Sequence, residues 1–321
     1  MNKVAVIIPA YNEEITIKDV ILDYNRELPK AEIYIINNNS NDNTSEYSIA
    51  TLKKNKIKGR VIFEKRQGKG YAVQNAFYNI NADYYIMVDA DMTYPAKDVH
   101  KLLESVMNNE CDMAIGDRLS EGRYKKENTR LFHNLGNNLV RFIINITFGS
   151  NLKDILTGLR VFNKKFVKNF PITSKGFEIE TELTLHSLDK GYLIKEIPID
   201  YKDRPEGSFS KLDTYKDGIR VIKTIIKVFK DYKPLLFFGI ITGIFFIFGV
   251  FVGLPVIIEF YKTTYITKVP SAILATGFMI VSMLSAAIGI ILDSILTYFK
   301  LDYQMKLNNY CSNNGYDKEN L

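Results

Sequence analysis

The stretch Val4–Asn39, VAVIIPAYNEEITIKDVILDYNRELPKAEIYIINNN, reads as strand, helix, strand. A short β-rich run at Val4 to Ile8 gives way to a helical stretch from Glu14 to Glu27, and a second β-rich run covers Ile33 to Ile36. The alternation continues outward: Ser45 to Asn55 is helical, and Val61 to Glu64 and Tyr84 to Val88 are again β-rich. This βαβ rhythm predicts an α/β domain with a mostly parallel sheet covered by helices on both faces, and ligands at the carboxyl ends of its strands. Chemistry-bearing motifs are therefore expected directly after strands.

Four such motifs occur. Pro9-Ala10-Tyr11-Asn12-Glu13-Glu14 follows the first run, where Pro9 is expected to end the strand and Asn12 to cap the next helix. Asn37 to Thr44 follows the second, a dense set of turn-forming side chains that suits either a base or ribose contact or a plain capped turn. Arg66-Gln67-Gly68-Lys69-Gly70 follows the third, without the spacing of a P-loop or a dinucleotide fingerprint. The sharpest is Val88-Asp89-Ala90-Asp91 after the fourth. Side chains alternate along an extended chain, so Asp89 and Asp91 are expected on one side of the sheet's carboxyl edge. Two carboxylates there repel unless a cation joins them, and oxygen ligands suit Mg²⁺ or Mn²⁺ bridging to substrate phosphates.

Further along, the chain becomes apolar. Pro234 to Ile258 and Val269 to Leu292 carry no charged residue, and at about 1.5 Å per helical residue each reaches roughly 36 to 38 Å, enough to cross a bilayer with moderate tilt. Gly239/Gly243 and Gly249/Gly253 are small-residue pairs that allow close helix approach within the hairpin or to a second copy, which leaves a homo-oligomer open. Lys216, Arg220, Lys223, Lys227, Lys230 and Lys233 precede the first span, whereas the loop between spans has only Lys262 and Lys268. By the positive-inside rule the protein is expected in the cell membrane with its catalytic part and both termini cytoplasmic. The N-terminus does not read as a signal peptide. Residues 213–233 and Leu131 to Phe148 show amphipathic helical spacing suited to a membrane interface or to packing on the sheet, and the tail from Tyr303 is expected to be unstructured.

Composition bounds the classes. Hydrophobic residues make up 46% and charged residues 24% of 321, which excludes wholesale disorder and low-complexity architecture. Two cysteines, Cys111 and Cys311, exclude a disulfide scaffold and a thiolate zinc site. A net charge of +6 without a basic arm or recognition motif gives no case for nucleic acid.

Taken in order, PAYNEE (9–14), NNNSNDNT (37–44), GKG (68–70), DADMTYP (89–95), GDR (116–118) and DILTGLR (154–160) resemble the family 2 glycosyltransferases with a GT-A fold. More narrowly the set resembles the polyprenyl-phosphate glycosyltransferases, the group of dolichyl-phosphate mannose synthase and of bacterial enzymes with C-terminal transmembrane helices. The resemblance implies a Rossmann-like GT-A catalytic domain over residues 1–212, followed by the juxtamembrane helix 213–233, a transmembrane hairpin within 234–300 and the tail 301–321. It implies a nucleotide-sugar donor held by Pro9, Tyr11, Asn12, Glu14, Asn37, Asn38, Gly68, Lys69 and Ala90, with Asp89 and Asp91 on Mg²⁺ or Mn²⁺ at the diphosphate. Polyprenyl phosphate would be the acceptor, bound by Arg118, Arg130 and His133; Asp154 falls in an active-site acidic motif, and Arg204 and Lys211 match a mobile basic loop over the phosphates. Asn37 stands where the family often has aspartate, and Thr93 where mannose synthases often have glutamine, which clouds the nucleotide and the sugar.

Such an acceptor is already an anion near neutral pH, so its oxygen attacks without a strong general base and direct displacement inverts the anomeric carbon. Asp154 then either orients the site or acts as a weak base. Transfer to a hydroxyl, or a non-catalytic nucleotide-sugar binder on the membrane, are the alternatives.

Overall fold

The computed structural model describes residues 2–120, 131–176, 178–205 and 226–314. Clustering of contacts divides the chain into two units, Met1–Gly218 with Cys311–Leu321, and Ile219–Tyr310.

Among its described residues the first unit holds seven strands: β1 Val4–Ala10, β2 Glu32–Asn37, β3 Gly59–Phe63, β4 Tyr84–Met87, β5 Met113–Asp117, β6 Arg160–Asn163 and β7 Ile194–Pro198. They form one sheet in the order β3-β2-β1-β4-β6-β5-β7. Pairing is parallel except at β6, which runs antiparallel to both β4 and β5. The helices are α1 Ile17–Glu27, α2 Thr44–Lys54, α3 Lys69–Asn79, α4 Val99–Met107, α5 Leu131–Phe148, α6 Lys164–Asn169 and α7 Ile179–Lys190.

The sequence dictates much of this locally. The inner strands β1, β2 and β4 are buried almost throughout, as strands covered on both faces must be, whereas β3 at the edge is half exposed. Helix α1 turns Ile17, Val20, Ile21 and Tyr24 inward, the i, i+3, i+4, i+7 stripe of a helix lying on a sheet. Each such large apolar side chain removed from water contributes about 1.5–3 kcal/mol.

Two expectations for the first loop are corrected. Pro9 does not end β1, which continues to Ala10 with Pro9 opposite Ile36. Ile7 directs its carbonyl to β4 and Ala10 its carbonyl to Asn38 on the β2 side, so by alternation the nitrogen of Pro9 faces β4, whose pairing with β1 has stopped at Ile7. No ladder bond is lost there. Asn12 does not cap α1 either: it takes a left-handed φ of 53°, Thr16 holds the N-cap position, and the Asn12 amide oxygen accepts from the backbone of Asn41.

From β1 the chain winds outward to β2 and β3 and then crosses back to β4 on the other side of β1. The carboxyl ends of β1 and β4 therefore diverge over a crevice, the usual ligand position in such sheets. Because β6 is reversed, the segment preceding it, 154–159, arrives at the same edge, with Arg160 in register with Met87 and Ile115.

On the buried face of α7, His186 lies among Phe166, Phe170 and Tyr192, with ring centroids 5.9, 4.8 and 5.8 Å away. Burial, with help from Lys190, pushes its imidazole down to about 4, against an unfolded value of about 6.5. Between those values the unfolded chain takes up a proton that the fold refuses, so the contribution is fully present above pH 6.5 and is lost as pH falls toward 4. Circular-dichroism melts of the full chain in detergent are expected to show stability falling by roughly 2–3 kcal/mol from this group over that range, and a shallower fall in His186→Leu. Equal slopes for the two proteins would sink the assignment.

The second unit contains a helical segment at 226–232 and two long helices, α8 Pro234–Thr263 and α9 Val269–Asn313. Both are long and apolar enough to cross a membrane, with mean hydropathy of 2.7 and 2.2 in their best windows. Phe251 and Met283 exemplify the outward apolar side chains, 77% and 78% exposed, a surface suited to lipid. The two helices meet at Gly249, where an added Cβ would lie 2.9 Å from Met279 Sδ, and at Gly253 against Ala275, while Gly239 and Gly243 have no such neighbour. Thr242 and Ser282 hydroxyls bond each other's carbonyls nearby.

The tail departs from expectation. Helix α9 continues through Tyr303 to Asn313, since extending a formed helix adds a hydrogen bond per residue without a new nucleus, and Lys306 pairs with Asp302 one turn back at 2.7 Å. The remainder of the tail and residues 213–225 of the amphipathic stretch lie outside the described residues.

Candidate active site

The loops after β1 and β2 fasten to each other. Backbone amides of Asn12, Glu13 and Glu14 donate to Ser40 Oγ, Thr44 Oγ1 and Asp42 Oδ2 at 3.0, 2.8 and 3.1 Å. Glu14 in turn accepts from the backbone and side chain of Asn43. Asn37 is buried, with its oxygen on the Ser40 amide and its nitrogen donating to Ser45. Asn38 reaches the third loop, accepting from Gly68 N at 2.6 Å and donating to the Arg66 carbonyl at 2.7 Å. The amide-rich segment thus acts as a clamp that sets the rim formed by Pro9, Tyr11, Asn12, Asn37, Asn38 and Gly68, and the polar side chains of Asn12, Glu14, Asn37 and Asn38 are engaged in building it.

At the carboxyl end of β4 the two aspartates each meet a cation from a different part of the chain. Lys69, the first residue of α3, places its ammonium against both Asp89 and Glu180, the latter in the first turn of α7. Asp91 accepts from Thr93 Oγ1 at 2.6 Å and pairs with Arg204 at 2.6 Å. Burial alone would push the Lys69 ammonium down, but Asp89 and Glu180 outweigh it and hold it above the usual lysine range. Burial also lifts the carboxyls of Asp91 and Glu180, each with Asp89 adding to the rise, against the pull of their cations. Three carboxylates against two cations leave one negative charge in excess in a largely buried cluster, so a further cation would be welcome there. The donors are all oxygens, which fits Mg²⁺ or Mn²⁺. Among the described residues no three acidic, histidine or cysteine groups are placed to hold a metal ion by themselves.

A second cluster sits beside the first. Asp154, buried, accepts from Arg118 Nε at 2.7 Å and Nη2 at 2.8 Å, a bidentate pair, and its backbone amide donates to Glu196. Arg118 also donates to the hydroxyl of Tyr94, which accepts from Gly158 N at 2.8 Å. Burial pushes the Tyr94 phenol well up, so it stays protonated. Gly158 explains how the clusters touch: a Cβ there would lie 2.1 Å from Asp89 Oδ2, so only glycine lets the 154–159 segment close on that carboxylate.

The structure therefore brings Asp89, Asp91, Lys69, Arg204, Asp154 and Arg118 to one sheet edge. Ala90, between the aspartates, is buried in the core. Arg130 and Lys211 lie outside the described residues, and His133 belongs to α5 with its side chain outside the description. Sequence reasoning missed Glu180, Glu196, Tyr94 and Arg160. Tyr94 lies inside the DADMTYP motif and Arg160 closes DILTGLR, so both were in view; Glu180 and Glu196 carried no local signal.

The profile described as Glycosyl transferase family 2 matches residues 5–170. Glycosyltransferase AglJ of Haloferax volcanii is 34% identical over 239 residues, covering 74% of this chain and 76% of that protein. The dolichyl-phosphate hexose transferase of the same organism is 29% identical over 228 residues, covering 71% and 94%. Glucosyl-3-phosphoglycerate synthase from Mycobacterium tuberculosis, solved with Mn²⁺, UDP and phosphoglyceric acid, superposes with a TM-score of 0.55 at 19% identity over 71% of this chain and 78% of its own, which shows a shared GT-A fold. The chain belongs to the family 2 glycosyltransferases.

Proposed function

We propose that the protein is a membrane-bound inverting glycosyltransferase that moves a sugar from a UDP- or GDP-sugar to polyprenyl phosphate. The observation that carries this reading is the pair of adjoining clusters, Asp89 and Asp91 with Lys69, Glu180 and Arg204 in one, and Arg118 paired to Asp154 in the other. A relative named dolichyl-phosphate hexose transferase and the two apolar helices support the lipid acceptor. The six basic residues before α8 support a cytoplasmic catalytic unit.

Asp89 and Asp91 would hold Mg²⁺ or Mn²⁺; a relative of the same fold was crystallised with Mn²⁺. Bound there, the ion would neutralise charge that builds on the departing diphosphate. The loops after β1, β2 and β3 hold the nucleotide, and Lys69 and Arg204 lie against its phosphates. Arg118, held flat by Asp154, receives the acceptor phosphate together with Arg130 and His133, while Lys211 joins Arg204 over the donor phosphates. The acceptor oxygen forms its bond to the anomeric carbon as the bond to the nucleoside diphosphate breaks, so an α-linked donor gives a β-linked lipid phosphate. Both oxygens of Asp154 are taken by Arg118, which favours an orienting role and speaks against an acceptor that needs deprotonation. The outward face of α5 leaves Leu139, Phe142 and Ile146 exposed, an apolar surface of the kind that suits a membrane interface.

The test is transfer from a panel of labelled UDP- and GDP-sugars to polyprenyl phosphate by the purified chain in detergent, with and without Mn²⁺. Metal-dependent, mild-acid-labile glycolipid from one donor is expected. Product only with hydroxyl acceptors, or none from any donor with folded protein, overturns the reading.

A further inference from the structure

We infer that Glu180 is a positioning residue that holds Lys69 off Asp89 when a divalent cation occupies the site, so that the metal and Lys69 do not compete for one carboxylate. The inference rests on the metal-dependent reading above.

Lys69 Nζ lies between Asp89 and Glu180, and Lys69 pairs with no other acid among the described residues. The side chains of Lys69 and Glu180 are 9% and 6% exposed, so neither charge can be left to water. The surrounding backbone has no slack. A Cβ on Gly68 would fall 2.0 Å from the Lys175 carbonyl oxygen and one on Gly70 2.1 Å from that of Ser174, which fixes the start of α3 against the segment leading into α7. Asp89 is backed by Gly158 in the same way. Adjustment is therefore left to the Lys69 side chain. A divalent cation on Asp89 repels an ammonium in contact with the same carboxylate, and Lys69 must let go of it. Glu180, already in contact on the far side, keeps the buried ammonium neutralised and aimed at the same edge, where a donor phosphate can receive it.

The charge logic makes the effect of Glu180 depend on Lys69. Mn²⁺ binding to the full-length chain in detergent, without nucleotide, is read from the loss of the free-ion paramagnetic resonance signal. Glu180→Gln is expected to weaken Mn²⁺ binding about tenfold, because the ammonium stays on Asp89 and its charge is no longer balanced. In the double variant Lys69→Met/Glu180→Gln the competing cation is gone, and affinity returns to within about threefold of the unmodified protein. Glu180→Asp, which keeps the charge, retains the affinity and guards against a trivial folding defect. A Glu180→Gln chain that binds Mn²⁺ normally, a double variant weaker than the single, or Glu180→Asp as weak as Glu180→Gln overturns the inference, since a mere strut between α3 and α7 would not show this pattern. An unmodified chain that takes up no Mn²⁺ overturns the metal-dependent reading itself, and the inference with it.

Discussion

Asp91→Asn is expected to lower kcat/KM for sugar transfer by at least about a thousandfold, the equivalent of roughly 4 kcal/mol of lost transition-state stabilisation, while the protein stays folded. The amide keeps the shape of the carboxylate and its oxygen still accepts from Thr93, which approaches at 2.6 Å through its hydroxyl. What disappears is the charge. The face toward Arg204 becomes a donor meeting a donor, so that contact is released, but the repulsion from Asp89 that helps raise the Asp91 carboxyl is released too. The two changes oppose each other, and the thermal midpoint should move by only a few degrees. Initial rates at saturating Mn²⁺ together with circular-dichroism melts check both halves. Retention of more than about a tenth of the activity would remove Asp91 from the anchor of the diphosphate.

Arg160→Met is expected to have the largest effect on stability, a loss of about 2–4 kcal/mol with transfer nearly abolished. The Arg160 guanidinium is wholly buried and donates to the carbonyls of Ile155 and Thr157 at 2.7 and 3.2 Å and to Thr184 Oγ1 at 3.0 Å. Burial brings it down to about 10, still charged at neutral pH. Methionine relieves the desolvated charge, which offsets part of the loss, but it leaves two buried carbonyls without donors. Those carbonyls belong to the segment that carries Asp154 and Gly158, so the acidic cluster loosens with them. Lysine, a point donor instead of a planar fork, restores only one of the contacts and should rescue little. The chain has no tryptophan, so the melt is best followed by circular dichroism. A midpoint unchanged in Arg160→Met would show that the segment is held by something else.

What could be read in advance follows from how far apart the cooperating residues lie. Strands β1 to β4 announce themselves through short apolar runs between helical ones, because burial on both faces constrains nearly every residue. The motif positions after them follow from topology alone. Strand β6 is only four residues, Arg-Val-Phe-Asn, and its reversal depends on partners in β4 and β5, so periodicity gave no sign of it. For the same reason Glu180 looked like one more acid on a helix; its meaning comes from Lys69, 111 positions earlier. Pro9 and Asn12 misled because local rules for strand ends and caps were applied where the ladder to β4 had already stopped and where Asn12 was needed by the neighbouring loop. In the tail, polar composition suggested disorder, but a helix already formed upstream carried the chain on.

The reversed strand also has a consequence for biosynthesis. β5 is made before β6 yet has no place beside β4 until β6 fills the gap between them. While the ribosome adds the roughly 75 residues from the end of β4 to the end of β6, at about 5–20 per second, the open flank of β4 stands unpaired for about 4 to 15 seconds. Nascent chains stalled in that window should be the aggregation-prone species, and the half of the catalytic pocket already synthesised should not yet hold a nucleotide-sugar.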